Sequence, residues 1–132
     1  MVFRLDSYSS NLRNEIKKGK KVYFYDNGVR NAVLSNFAPL ELRNDAGPLW
    51  ENLMVSERIK HNSYYGSYAQ LYFWRTHNQK EIDLIELEDG RLRAFEFKWN
   101  SKRTPSAPAL FSSSYPESTF TVVTPDNFWD FV

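Results

Sequence analysis

Glu81-Ile82-Asp83-Leu84-Ile85-Glu86-Leu87-Glu88-Asp89-Gly90-Arg91-Leu92-Arg93-Ala94-Phe95-Glu96-Phe97-Lys98 decides how this chain is read. Asp89-Gly90 is a strong two-residue hairpin turn between two alternating segments, which makes Glu88 the partner of Arg91. Counting outward from that turn pairs Glu86 with Arg93, Asp83 with Glu96 and Glu81 with Lys98. Successive side chains of a strand point to opposite faces. One face therefore carries Ile82, Leu84, Phe95, Phe97 and Trp99, with the Glu86–Arg93 pair near the turn. The other carries Ile85, Leu87, Leu92 and Ala94, and ends in Asp83, Glu96, Glu81 and Lys98. A hairpin apolar on both faces belongs inside a covered sheet, so the charged end is expected to be partly buried.

Two carboxylates opposed across a strand pair repel and destabilise it. A divalent cation would offset that repulsion by binding Asp83 and Glu96, with Lys98 holding an attacking water or a scissile phosphate. The competing reading is an exposed hairpin whose Glu81–Lys98 and Glu86–Arg93 pairs are ordinary, weakly stabilising ion pairs.

Composition bounds the protein around this hairpin. At 132 residues the chain is expected to be one domain, 1–132, and its 42% hydrophobic and 17% aromatic content supports a packed core. No stretch approaches the apolar run that a membrane helix needs. Net charge is +1, from 17 Lys+Arg and 16 Asp+Glu, so any nucleic-acid contact has to be local rather than a global attraction. The absence of cysteine excludes disulfides and thiolate zinc sites and fits a reducing compartment. Charges at Arg4 and Asp6 interrupt any secretory apolar core, and a cytoplasmic location is the default expectation.

Residues 1–20 read as a lead-in segment, with a short strand at Val2–Leu5 and a basic cluster of Lys17, Lys18, Lys20 and Lys21. That cluster is either a solvated turn or a phosphate-contacting patch. Val22–Tyr25 reads as a strand, 28–35 as a short helix, and Asn44-Asp45-Ala46-Gly47-Pro48 as turn formers able to cap the helix that follows. In that helix, Leu49 to His61, the stripe Leu49, Trp50, Leu53 and Met54 is the expected core face. Glu57 falls near the middle of the stripe and Glu51 roughly 120° away at ~100° per residue. Burial favours Glu57 as a site acid, because a carboxylate in apolar surroundings needs a partner or a metal, whereas Glu51 has the simpler role of a first-turn acid at the helix dipole. Leu71–Trp74 and Phe120–Val123 read as strands, 109–114 as a short helix, and Phe128-Trp129-Asp130-Phe131 as core or interface filler. Arg75, His77 and Lys80 before the hairpin, and Lys102 and Arg103 after it, are candidate phosphate contacts, with His77 also readable as an exposed loop histidine. A nucleotide-binding loop is missing, no nucleophile elbow accompanies His61 or His77, and two histidines make no zinc site.

The order helix acid, Asp83, Glu96-x-Lys98 resembles the PD-(D/E)XK nuclease superfamily. Tyr23-Phe24-Tyr25-Asp26-Asn27-Gly28, Gly47-x-x-x-Glu51-Asn52, Phe73-Trp74-Arg75, Glu81-Ile82-Asp83 and Phe95-Glu96-Phe97-Lys98 together resemble, over about residues 20–125, an uncharacterised bacterial and archaeal family. In that family the domain is usually the C-terminal part of an AAA-type ATPase. The resemblance implies an α/β (α+β) fold with a central mixed β-sheet flanked by helices. It also matches Glu51 to the superfamily's helix acid, so Glu51 becomes the first choice and Glu57 the alternate. The activity it implies is phosphodiester hydrolysis of nucleic acid, DNA first. Asp83, Glu96 and Glu51 would hold Mg²⁺ or Mn²⁺, with Lys98 beside them, and an ATPase domain outside this chain would be the partner. The alternative it allows is an inactive DNA-binding or assembly module of that ATPase.

Overall fold

The computed structural model describes residues 2–10, 12–100, 102 and 104–132. Six strands, β1 (Val2–Ser7), β2 (Lys20–Phe24), β3 (Gln70–Arg75), β4 (Glu81–Glu88), β5 (Arg91–Phe97) and β6 (Thr119–Val123), form one sheet in the order β2-β1-β3-β4-β5-β6. The sheet is mixed: β1–β3 and β5–β6 run parallel and the other neighbours antiparallel. Three helices, α1 (Asn27–Leu34), α2 (Ala46–Tyr64) and α3 (Ala109–Ser114), complete the α/β fold, with 3₁₀ turns at Leu40–Leu42 and Phe128–Asp130.

The hairpin forms as its turn dictates. Asp89 and Gly90 take φ of 53° and 75°, the left-handed conformation that Asp-Gly tolerates, and the ladder runs from Glu88↔Arg91 to Leu84↔Phe95. Both of its faces are covered. On one, α2 and the C-terminal turn bury Trp50, Met54, Val55 and Phe131 against Phe73, Leu84 and Phe95. On the other, Phe111 of α3 packs edge-on against Trp74 at 5.3 Å, over Ile82, Ile85 and Ala94. Each large apolar side chain buried this way contributes roughly 1.5–3 kcal/mol. None of the helices in the described residues is long and apolar enough to cross a membrane.

One irregularity corrects the strict alternation expected of β4. Its register against β3 shifts between Tyr72↔Ile85 and Trp74↔Ile82, so Asp83 and Leu84 together stand opposite Phe73. This β-bulge re-aims the strand. Ile82 joins Ile85 on the α3 side instead of Leu84, and Asp83 turns to the α2 side, away from Ile85 and Ala94 with which alternation had grouped it.

Helix α1 starts at Asp26, whose carboxylate accepts from the amides of Gly28 and Val29 at 2.6 and 3.2 Å. Of the turn formers 44–48 expected to be able to cap α2, Asp45 holds the N-cap position. Its side chain makes no capping bond, because Arg43 and Arg30 take it at 2.7 and 3.0 Å. Glu15, in the lead-in segment, is 1% exposed and accepts from Trp74 Nε1, the Tyr115 hydroxyl, the Ser10 amide and the Ser9 hydroxyl. Four donors satisfy this buried carboxylate and tie Ser9, Ser10 and Glu15 to Trp74 and Tyr115.

Candidate functional site

Strand β2 sits at the sheet edge beside the N-terminal end of α2, and its alternation sends Lys20 outward and Lys21 and Tyr23 inward. Lys20 reaches Asp6 at 2.5 Å on the exposed side. Asn52, 4% exposed, clamps the end of the strand to the helix: its carbonyl accepts from the Phe24 amide and its amide donates to the Phe24 carbonyl, both at 2.9 Å. Neighbouring Glu51 is thereby fixed over the inward residues of β2. The Tyr23 hydroxyl donates to Glu51 Oε2 at 2.5 Å and Lys21 Nζ to the same oxygen at 2.9 Å.

Strand β4 supplies two more acids, Glu81 and Asp83. Lys21 Nζ is also 2.9 Å from Glu81 and 3.9 Å from Asp83, while Arg75 reaches Glu81 at 3.3 Å. Beyond Leu84↔Phe95 the hairpin ladder gives way, and the Asp83 carboxylate accepts the Phe97 amide at 2.9 Å. The Lys98 amide turns to the carbonyl of Val123 in β6. Glu96 is an electrostatic neighbour of Asp83 and lies 3.9 Å from Lys98 Nζ. Glu51, Asp83, Glu96, Lys98 and Lys21 all line one cleft of about 630 Å3, within the size range of ligand sites. Trp99, 42% exposed, forms part of its wall and leans on buried Trp50 at 5.6 Å.

Burial and neighbours set the charge states. Burial, then Glu96, push the Asp83 carboxyl from 3.8 up to about 7, against the pull of the Phe97 amide and Lys21. Burial and the Asp83 charge also raise Glu51. Burial alone would lower Lys21, but Glu51, Asp83 and Glu81 outweigh it and keep the ammonium charged. Tyr23 is driven far upward by burial and Glu51 and stays a neutral donor.

The Asp83 shift carries a consequence for stability. Between about 4 and about 7 the folded carboxyl keeps a proton that the unfolded chain has released, so this group costs stability progressively as pH rises through that window. Asp83→Asn, which cannot ionise, is expected to melt higher than the native protein by a margin that grows from about pH 5 to about pH 8 in chelator. A margin constant with pH would contradict this.

Of the residues expected at the site, Asp83, Glu96, Lys98 and Glu51 come together. Glu57 does not: its side chain is 39% exposed and pairs with Lys60 at 2.9 Å. The buried residues of α2 include Trp50, Met54, Val55 and Ser56, a face that leaves Glu57 outside. The Glu81–Lys98 pair is replaced by Glu81 with Lys21 and Arg75, because the ladder stops before reaching it. The Glu86–Arg93 pair forms at 3.0 Å, joined by Arg58 from α2. Arg75 touches the acid cluster, whereas Lys80 and Lys102 are exposed and do not line the cleft, and Arg103 lies outside the described residues.

Lys21, which the sequence offered only as part of the basic cluster, and Tyr23 and Asn52, to which it gave no role of their own, belong to the site as well. The signal was available for Lys21: extending the strand back one residue from Val22 places it two before Tyr23, on the same face. The donor set of Glu51, Asp83 and Glu96 is chemically suited to a hard divalent cation. Its present spacing is that of a cluster built around an ammonium. Among the described residues no three His, Cys, Asp or Glu side chains are grouped so as to hold a metal ion.

Comparison with known families gives one match, to the model described as Domain of unknown function (DUF4143), over residues 46–128. No curated protein and no solved structure matches the chain.

Proposed function

Because the chain belongs to the DUF4143 family, whose function is unknown, its activity has to be read from its own cleft, and we propose a nuclease-like, metal-dependent phosphodiester hydrolysis of nucleic acid. The observation that carries this reading is that α2, β4 and β5 deliver Glu51, Asp83, Glu96 and the adjoining Lys98 to a single cleft. This reading is supported by a helix acid, a strand acid and a Glu-x-Lys at the end of the next strand, on a mixed sheet flanked by helices, a set that resembles the PD-(D/E)XK pattern. Glu51, Asp83 and Glu96 would hold Mg²⁺ or Mn²⁺. Bound there, the ion supplies charge compensation at the phosphate and acidifies water at neutral pH.

The remaining chemistry belongs to the chain. The Lys98 ammonium, 34% exposed at the cleft, orients the attacking water or offsets charge developing on the phosphate. The bulge at Asp83 and the Phe97 amide hold that carboxylate in place, so little reorganisation accompanies reaction. Trp99 offers an apolar plane beside the reacting group, on which a nucleobase can stack. An AAA-type ATPase domain outside this chain is the partner this reading implies.

A second reading, an inactive nucleic-acid-binding or assembly module of that ATPase, is favoured by Lys21, whose ammonium already neutralises Glu51 and Glu81. Calorimetric titration separates the two. Saturable binding of Mn²⁺ or Mg²⁺ that is lost in Asp83→Ala supports the hydrolytic site. No binding of either ion, with nucleic-acid affinity unchanged by Asp83→Ala, supports the module.

A further inference from the structure

Four carboxylates, Glu51, Glu81, Asp83 and Glu96, are linked here through three cations, Lys21, Arg75 and Lys98. The cations are not equivalent. Arg75 and Lys98 have side chains 35% and 34% exposed and each approaches a single acid, Glu81 or Glu96. Lys21 is 17% exposed and is the one that bridges, at 2.9 Å from both Glu51 and Glu81 and 3.9 Å from Asp83. It reaches that position from the edge strand, with its ammonium 5.6 and 5.8 Å from the ring centres of Tyr23 and Phe73. We propose that Lys21 is the resident cation of this cleft, and that a divalent ion enters by exchanging with its ammonium rather than by filling an open site.

Three observations support an exchange rather than a fixed structural pair. Lys21 binds two of the carboxyls, Glu51 and Asp83, that a divalent ion would need, so both cations cannot use them together. Its backbone is held independently by pairing with Leu5 of β1, so the side chain can leave without unfolding the strand. A lysine on a four-carbon stem can turn towards solvent, where exposed Val22 marks the open edge of the sheet. The consequence is a site whose metal affinity is set by an internal competitor: whatever draws Lys21 out, such as a phosphate group entering the cleft, raises cation affinity, and the cation raises phosphate affinity by the same factor.

This inference rests on the cleft being a cation site, and its test is separable from cleavage. Mn²⁺ titrated into Lys21→Met is expected to bind at least about tenfold more tightly than into the native protein, because the competitor is gone and the carboxylates remain. In the native protein, modification of Lys21 by an amine-directed reagent, read by mass spectrometry, is expected to rise on Mn²⁺ saturation. Should Lys21→Met not fold, Lys21→Gln and the native footprinting carry the test. Tight Mn²⁺ binding by the variant without cleavage by the native protein would uphold the exchange and sink the hydrolytic reading. Equal or weaker Mn²⁺ affinity in the variant, or a Lys21 reactivity unmoved by bound Mn²⁺, would overturn the exchange whatever the protein cleaves.

Discussion

Asp83→Ala and Lys98→Ala are each expected to lower metal-dependent cleavage of nucleic acid by at least ~10²–10³-fold, the usual cost of deleting one group that stabilises developing charge. The two variants fail for different reasons. Asp83 is 7% exposed and fixed by the Phe97 amide, so its loss removes a buried ligand oxygen. Lys98 is partly exposed and meets the cluster only through Glu96, at 3.9 Å, so its removal leaves the acids in place. Asp83→Ala is therefore expected to lose Mn²⁺ binding together with activity, whereas Lys98→Ala keeps Mn²⁺ binding and loses turnover. Gel-based cleavage rates beside Mn²⁺ titrations read both. Native rates in both variants would remove the cleft from the chemistry.

The largest expected loss of stability lies away from the cleft. Arg58 of α2 holds Glu86 through Nε and, at 3.1 Å, Nη2, donates to the Phe131 carbonyl at 2.5 Å and lies 4.8 Å from the centre of the Phe131 ring. Glu86 is fully buried, and its other cation, Arg93, is 41% exposed. Arg58→Ala leaves that buried carboxylate to the half-exposed Arg93 alone and frees the C-terminal turn, for an expected cost of ~3 kcal/mol, the low end for breaking a buried pair. Against a total of roughly 5–15 kcal/mol, such a loss leaves the fold marginal. Replacing both partners, Arg58→Met with Glu86→Leu, is expected to recover most of it, since the penalty comes from the unpaired charge. Urea unfolding measures both variants. A loss under about 1 kcal/mol in Arg58→Ala would contradict the pairing.

Local signals accounted for much of the architecture. The Asp-Gly turn set the β4–β5 register through Leu84↔Phe95, and apolar residues on both hairpin faces anticipated the two covered sides of the sheet. Three things lay beyond such signals. The bulge at Asp83 arises from pairing with β3, a partner that the hairpin itself does not specify, and it is what turns Asp83 towards α2. The helix acid could not be chosen by periodicity, because the burial of α2 depends on contacts with β2 and β5 and leaves Glu57 beside Lys60. Lys21 was obscured by its neighbours, since Lys17, Lys18 and Lys20 make a solvated patch in which only strand alternation singles it out. The sequence resemblance chose Glu51 over Glu57, and of the two it is Glu51 that lines the cleft.

The proposed activity of this cleft is hydrolysis of a phosphodiester with a divalent ion held by the chain's own carboxylates. The most direct measurement is cleavage of labelled single- and double-stranded DNA and RNA by the purified native protein in Mn²⁺ and in chelator. Cleavage of at least one of these substrates in Mn²⁺ is expected, stopped by the chelator and absent from Asp83→Ala. Cleavage that persists in chelator, or no cleavage of any of them by a protein that binds Mn²⁺ in the cleft, would contradict it.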